Sequence, residues 1–343
     1  RWRVFGLGWL RALTGARGLL EHAHHGVPRL GEGYTTDDNA RALLYLSLLP
    51  EGARDEGLVR TYLAFLLHMQ KEDGRFRNGL TLDGRFEDEG EAEDPTGRAV
   101  LALAAAQRLP PPYAGPAREA LLRALPALEG FTSLRGRAYA LLGLLALPKE
   151  PFLEAAEALG EGLLRAFREA EPAWPYPGPL TYANHRPVEA LYAYGLAFRR
   201  QEAVALARRA LAFLKEHYFT PGEEGLFFDP VGNRFMARGR DKPLFDQQPI
   251  EAKCALLAHL RFGERVLAEV AFLWFHGRNR LRAPLVDAFG PMDGLTPHGP
   301  NQNRGAEALL AYLLAWQALV QGVFPQVDEG VALGRVFALG GRP

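Results

Sequence analysis

The amino-acid sequence predicts an all-α fold, a closed (α/α)6 toroid of six helical hairpins in which residues 1–343 form one domain. Three observations lead there. Six stretches rich in Ala and Leu carry small or apolar residues on most faces, the pattern of buried helices. Six segments with a clear polar face alternate with them. The alternation repeats about every 50 residues, and outer-then-inner order six times over suits a ring better than an open solenoid, which needs polar caps at its ends.

In chain order, the first hairpin pairs an outer helix over 4–21 with an inner helix over 36–49. The next hairpins pair 56–70 with 95–107, 116–128 with 137–147 and 151–169 with 187–198. The last two pair 201–217 with 249–260 and 262–275 with 303–319. Several inner helices share a start: Pro187-Val188-Glu189-Ala190 and Pro249-Ile250-Glu251-Ala252 match closely, Gly305-Ala306-Glu307-Ala308 is a looser copy, and Pro95 opens another. Proline suits the first helical position because its missing N–H needs no partner there, and Glu two residues on stands where a capping box uses it. Glu189 and Glu251 therefore read as caps. Long loops precede the inner helices at 21–36, 71–93, 171–184, 218–245 and 276–303, and long loops in a compact domain are usually functional. Within them, 75–86 and 225–236 read as small β-hairpins gathered at one mouth of the ring.

Composition narrows the function classes. Lys+Arg 40 against Asp+Glu 40 leaves zero formal charge, without the broad positive field used to bind nucleic acid or anionic membrane. A neutral partner fits better. The single cysteine, Cys254, lies among apolar residues, which argues for core packing and against a thiol nucleophile. No apolar run reaches the ~18 residues of a membrane span, and the chain opens without a signal-like stretch, so a cytoplasmic protein is expected. Arg far outnumbers Lys and Ile250 is the only isoleucine, a bias of a GC-rich genome that would suit a thermophile. His22, His24 and His25 cluster, but no distant Cys/His set has ligand spacing; no metal site is expected. Neither a nucleophile elbow nor a phosphate-binding glycine loop is present, so no cofactor is implied.

Polar residues collect just before the inner helices: Tyr34 to Asn39, Glu91 to Asp94, Thr181 to His185, Asp246-Gln247-Gln248 and Asn301-Gln302-Asn303. If every inner helix starts at the same end, these clusters converge on one cavity. Carboxylates, carboxamides and aromatic rings are what a sugar site uses, because a polyol needs directed hydrogen bonds and its C–H faces stack on rings. The candidate catalytic carboxyls are Glu93 or Asp94 as general acid and Asp37 or Asp38 as general base; helix capping is the competing role for Asp37, Asp38 and Asp94, whereas Glu93 is not needed as a cap. Glu93 stands beside Glu91 and Asp94, a like-charge crowding that would favour a protonated acid. Candidate sugar contacts are Tyr34, Phe76, Trp174 and Tyr182 as stacking rings, with Asn184, His185, Asp246, Gln247, Gln248, Asn301, Asn303 and Glu307. Arg98 and Arg137, one turn into inner helices, would either neutralise these acids or touch substrate.

The motifs Gly33-Tyr34-Thr35-Thr36-Asp37-Asp38-Asn39-Ala40-Arg41-Ala42, Glu93-Asp94-Pro95-Thr96-Gly97-Arg98, Leu180-Thr181-Tyr182-Ala183-Asn184, Phe245-Asp246-Gln247-Gln248-Pro249 and Asn303-Arg304-Gly305-Ala306-Glu307 occur in order. Together they resemble a bacterial family of six-hairpin glycosidase-like proteins, whose members accompany or are fused to glycosyltransferases of the GT-B type. The resemblance runs from about Gly33 to Leu319. It implies the toroid, a carbohydrate substrate and a glycosyltransferase partner. One departure stands near Trp174: the family carries an acidic residue after the aromatic pair, where this chain reads Trp174-Pro175-Tyr176-Pro177-Gly178.

The reading that follows is an inverting glycoside hydrolase, one carboxyl protonating the leaving oxygen and another activating water. Its rivals are a phosphorylase, a sugar epimerase using a histidine pair such as His185 with His276, and a glycan-binding partner of a glycosyltransferase.

Overall fold

The computed structural model describes residues 7–87, 90 and 92–334. Twelve α-helices lie among them, paired outer then inner: α1 (Gly8–Leu13) with α2 (Thr36–Leu48), α3 (Glu56–Met69) with α4 (Asp94–Ala105), and α5 (Pro111–Leu128) with α6 (Leu134–Leu145). Then come α7 (Phe152–Arg168) with α8 (His185–Ala197), α9 (Gln201–Tyr218) with α10 (Pro249–Arg261), and α11 (Arg265–Leu273) with α12 (Ala306–Leu319). Each even-numbered helix packs on the next, and α12 packs back on α2, so the inner helices close a ring. The predicted (α/α)6 toroid is the observed fold.

The two helix classes differ as their sequences require. In α12 every residue except Glu307 is buried, whereas α7 buries only a stripe running from Phe152 to Phe167 and turns Glu154 and Arg165 outward. Glycines let α4 and α6 approach backbone to backbone. A Cβ on Gly97 would stand 2.7 Å from the Gly136 carbonyl oxygen, and one on Gly143 would stand 2.8 Å from Leu101 Cα. Caps come from Thr35 on α2, Asp55 on α3 and Ser133 on α6, each accepting a backbone N–H.

Several boundaries depart from the sequence reading. The first outer helix ends at Leu13, because the chain turns back there and Thr14 bridges Leu19; residues 4–6 of that expected helix lie outside the described residues. Pro187 sits at the third position of α8, which starts at His185. Glu189 and Glu251 do not cap their own helices: Glu189 pairs with Arg186 and Arg261, and Glu251 accepts the Ala183 N–H at 2.7 Å. Among the described residues five two-stranded antiparallel sheets decorate the loops, four of them hairpins. One pairs Phe219–Gly222 with Gly225–Phe228, earlier than the 225–236 reading, and Met236 instead bridges Leu180. Another joins Tyr34–Thr35 to Gly79–Leu80 and so ties the start of α2 to the 71–87 loop.

Candidate active site

The ring interior is layered, and spacing along each inner helix explains why. Below lies a small chamber of about 20 Å³ lined by Leu44, Leu101, Leu142, Glu189, Leu257 and Leu314, with Val323, Phe324 and Pro325 beneath. Residues three or four apart on a helix share a face. One turn nearer the N-termini, the same faces carry Arg41, Arg98, Tyr139, Arg186 and Lys253. One turn nearer still stand Asp37, Asp94 and Arg135. The inner helices therefore run parallel, with their N-termini at one mouth and a floor of charged side chains between mouth and chamber.

At the mouth, neighbouring helices are cross-linked by ion pairs. Asp37 Oδ1 lies 3.1 Å from Arg98 Nε, and Arg98 Nη2 donates to the Tyr139 hydroxyl at 3.0 Å while its guanidinium covers the Tyr139 ring. Burial pushes the Asp37 carboxyl above the usual range; Arg98 and Arg41 pull it down, and Asp94 and Glu307 push it up further. Its side chain keeps a quarter of its surface exposed, so Asp37 is both desolvated and reachable. Asp94 accepts the Tyr182 hydroxyl, and the Arg135 guanidinium lies 4.5 Å over the Tyr182 ring. No side-chain cap bond forms at the start of α4, so Asp94 is not a helix cap. Glu307, about half exposed, stands 3.7 Å from Arg41.

Other expected site residues are occupied elsewhere. Asp38 is 3% exposed, held by Arg41 at 2.9 Å and by the Thr35 hydroxyl at 3.0 Å. Burial pushes its carboxyl up to about 7 against the pull of Arg41. Glu93 points away from Asp37 and accepts the backbone N–H groups of Thr132 at 2.7 Å and Ser133 at 3.0 Å, capping α6. The like-charge argument for Glu93 therefore fails, and its third member, Glu91, lies outside the described residues. Glu93→Gln is expected to lower unfolding free energy by about 1 kcal/mol, through the lost charge at the α6 N-terminus, and to leave turnover unchanged. Denaturant melts and initial rates on one preparation check both halves.

Of the four expected stacking rings, only Tyr182 touches a candidate catalytic carboxyl. Tyr34 is core, packed on Phe65; Phe76 is 4% exposed and walls a recess of about 250 Å³ beside Asn78 and Pro95; Trp174 lies against Phe213 and His217 in a groove of the outer layer. Arg137 donates to the Phe131 carbonyl on the outer side of α6. Asn184 and Gln247 are buried braces, Asn184 binding Arg135 and Tyr218, Gln247 binding Asp229 and Trp274. His185 is fully buried between α8 and α9 against Tyr218, while His276 binds the Tyr312 hydroxyl against α12. The proposed pair does not face across the cavity. Asp246 and Gln248 are half-buried, and Asn303 Oδ1 accepts the His25 N–H, linking two mouth loops. Missed from sequence were Arg41, Arg135, Tyr139, Arg186 and Lys253. Their signal was a lone polar or basic residue within the first turns of an otherwise apolar helix.

Glu251 was read as a cap, yet one carboxyl oxygen, Oε2, is buried without a partner. Burial pushes this acid up to about 7; the Ala183 N–H, Arg135 and Lys253 oppose the rise and Glu307 adds to it. A carboxyl raised on folding stabilises the protein below its unfolded value, about 4.5, and loses that contribution as pH climbs through about 7. Glu251→Gln should then gain stability relative to wild type between about pH 5 and pH 8. An unchanged difference across that range would mean that Glu251 is ionised throughout.

No family model and no curated sequence matches the chain. Solved structures do. Cellobiose 2-epimerase from Spirochaeta thermophila DSM 6192 is 15% identical, covering 92% of this chain and 91% of its own, with a TM-score of 0.64. A D-mannose isomerase is 11% identical over 94% and 99% of the two chains, with a TM-score of 0.67. A family 76 glycoside hydrolase from a bovine Bacteroides thetaiotaomicron strain is 10% identical over 91% and 75%, with a TM-score of 0.61. The fold is thus the six-hairpin glycosidase-like (α/α)6 toroid. Among the described residues no helix is long and apolar enough to cross a membrane.

Proposed function

We propose that this chain is a carbohydrate-active enzyme, a glycoside hydrolase that cleaves with inversion, using Asp37 as general acid and Asp94 as general base. The observation that carries this reading is the pair of carboxylates on neighbouring inner helices at one mouth, each held by a side chain from the next helix or loop. Burial favours the proton on Asp37, which suits an acid; Asp94, the second carboxyl at the mouth, accepts the Tyr182 hydroxyl and is left the part of base. Asp37 and Asp94 thereby exchange the roles expected from the sequence. Asp37 protonates the glycosidic oxygen as the bond breaks, and Asp94 takes a proton from the water that attacks the opposite face. Neighbouring helices pack roughly 8–10 Å apart, which suits the ~6.5–9.5 Å carboxyl spacing of inverting enzymes better than the ~5–5.5 Å of retaining ones.

The neighbours with epimerase and isomerase names make sugar isomerisation the competing reading, and the separate burial of His185 and His276 weighs against a mechanism that uses those two imidazoles together. A panel of oligosaccharides, followed by chromatography and by NMR of the newly released anomeric centre, tests the proposal. Cleavage with inverted configuration is expected. Epimerised sugar, or binding with no cleavage of any member, would overturn it.

A further inference from the structure

We infer that the floor of the ring is a phosphate subsite, so that this carbohydrate site takes a phosphate group together with its sugar. The inference deepens the proposed function and rests on its placement of the sugar site at the mouth. Four buried cations from four inner helices meet at this depth: Arg41, Arg98, Arg186 and Lys253, each 7% exposed or less. They are not evenly neutralised. Arg41 has Asp38, Arg98 has Asp37, and Arg186 has Glu189. Lys253, 2% exposed, makes no hydrogen bond or ion pair among the described residues. Nε of Arg41 and Nε of Arg186 are likewise buried and donate to nothing.

An amine desolvated to this degree gains most from an anion that completes it. Lys253 points inward, because it lies one turn above chamber-lining Leu257 on α10 and the charges of Arg41, Arg186 and Arg98 all act on it. Burial and those three cations depress it to about 7, the Cys254 thiol alone opposing among its strongest influences. The acids in reach stand higher, at the mouth: Glu251, Asp94 and Glu307. A ligand spanning the two layers would present neutral hydroxyls to the carboxylates and an oxyanion to the floor. Fixed N–H donors on several sides suit a phosphate, whose oxygens accept in a tetrahedral array. The chamber beneath, about 20 Å³, is too small to admit a sugar phosphate, so the charged end of such a ligand would stop at the floor.

The test is calorimetric titration of the full chain at neutral pH with inorganic phosphate, a hexose 1-phosphate, a hexose 6-phosphate and the uncharged hexose. At least one phosphate should bind, and Lys253→Gln should weaken it by about tenfold or more, while Lys253→Arg, which keeps the charge, largely restores it. Inorganic phosphate binding best would identify phosphate as a co-substrate, and a hexose phosphate binding best would place the ester on the sugar; either supports the inference. Wild-type protein that binds no phosphate overturns it, whatever the variants do. So does phosphate binding that Lys253→Gln leaves intact. Oligosaccharide cleavage without phosphate binding would remove this inference and leave the hydrolase standing; phosphate binding without cleavage would do the reverse.

Discussion

Asp37→Asn is expected to lower turnover on a cleaved glycoside by about 10²-fold or more while the protein stays folded, because the amide keeps the shape of the carboxyl and cannot deliver its proton. Arg98 would face an amide oxygen in place of the carboxyl and keep the Tyr139 hydroxyl, so the mouth should hold its geometry. The pH–rate profile separates this from a structural effect. Wild type should lose activity on its alkaline side as Asp37 ionises, and that limb should vanish in the variant. Undiminished turnover in Asp37→Asn would return Asp37 to the role of an ion-pair partner. Asp38→Asn is the matching control of position: it disturbs a buried pair with Arg41, so its effect should fall on stability before turnover.

The largest stability effect is expected at Glu189, which is 1% exposed and accepts Arg186 Nη1 and Arg261 Nε, both at 2.8 Å. Glu189→Ala would leave two buried guanidinium groups facing one another, and breaking a buried pair of this kind costs about 3–5 kcal/mol. Burial pushes the Glu189 carboxyl up, but Arg186 and Arg261 outweigh it and hold the group below its usual range. Its contribution is therefore full above the unfolded value near 4.5 and is lost as pH falls through the lower folded one, the opposite sign to Glu251. Urea melts of wild type and variant should differ strongly at neutral pH and converge in acid. Equal midpoints at neutral pH would mean that water enters the chamber and screens the arginines.

The ring was legible in the sequence because burial on all faces and burial on one face leave different residue patterns, and six alternations of the two admit few architectures. The convergence of the polar helix starts was legible for the same reason. Partner choice was not. Glu93 and Asp94 are adjacent in sequence, yet one turns to the neighbouring helix and caps it while the other turns to Tyr182, a contact 88 residues away. Trp174 was expected at the mouth from its loop, but Phe213 and His217 one layer out hold its ring there. The floor was invisible for a different reason: a single Lys253 in an apolar helix reads as noise until four other helices place their own polar residues at the same depth.

Closure of the ring sets a schedule for the newborn chain. The Gln317 side-chain amide donates to the Tyr45 carbonyl across 272 residues, and α12 covers a flank of α2. At about 5–20 residues per second, a ribosome reaches α12 roughly 15–50 s after finishing α2. Throughout that interval the early hairpins exist as an open arc with one apolar flank uncovered. A chain stalled before residue 306 would keep that flank, and its fate would depend on what else in the cell covers exposed leucines first.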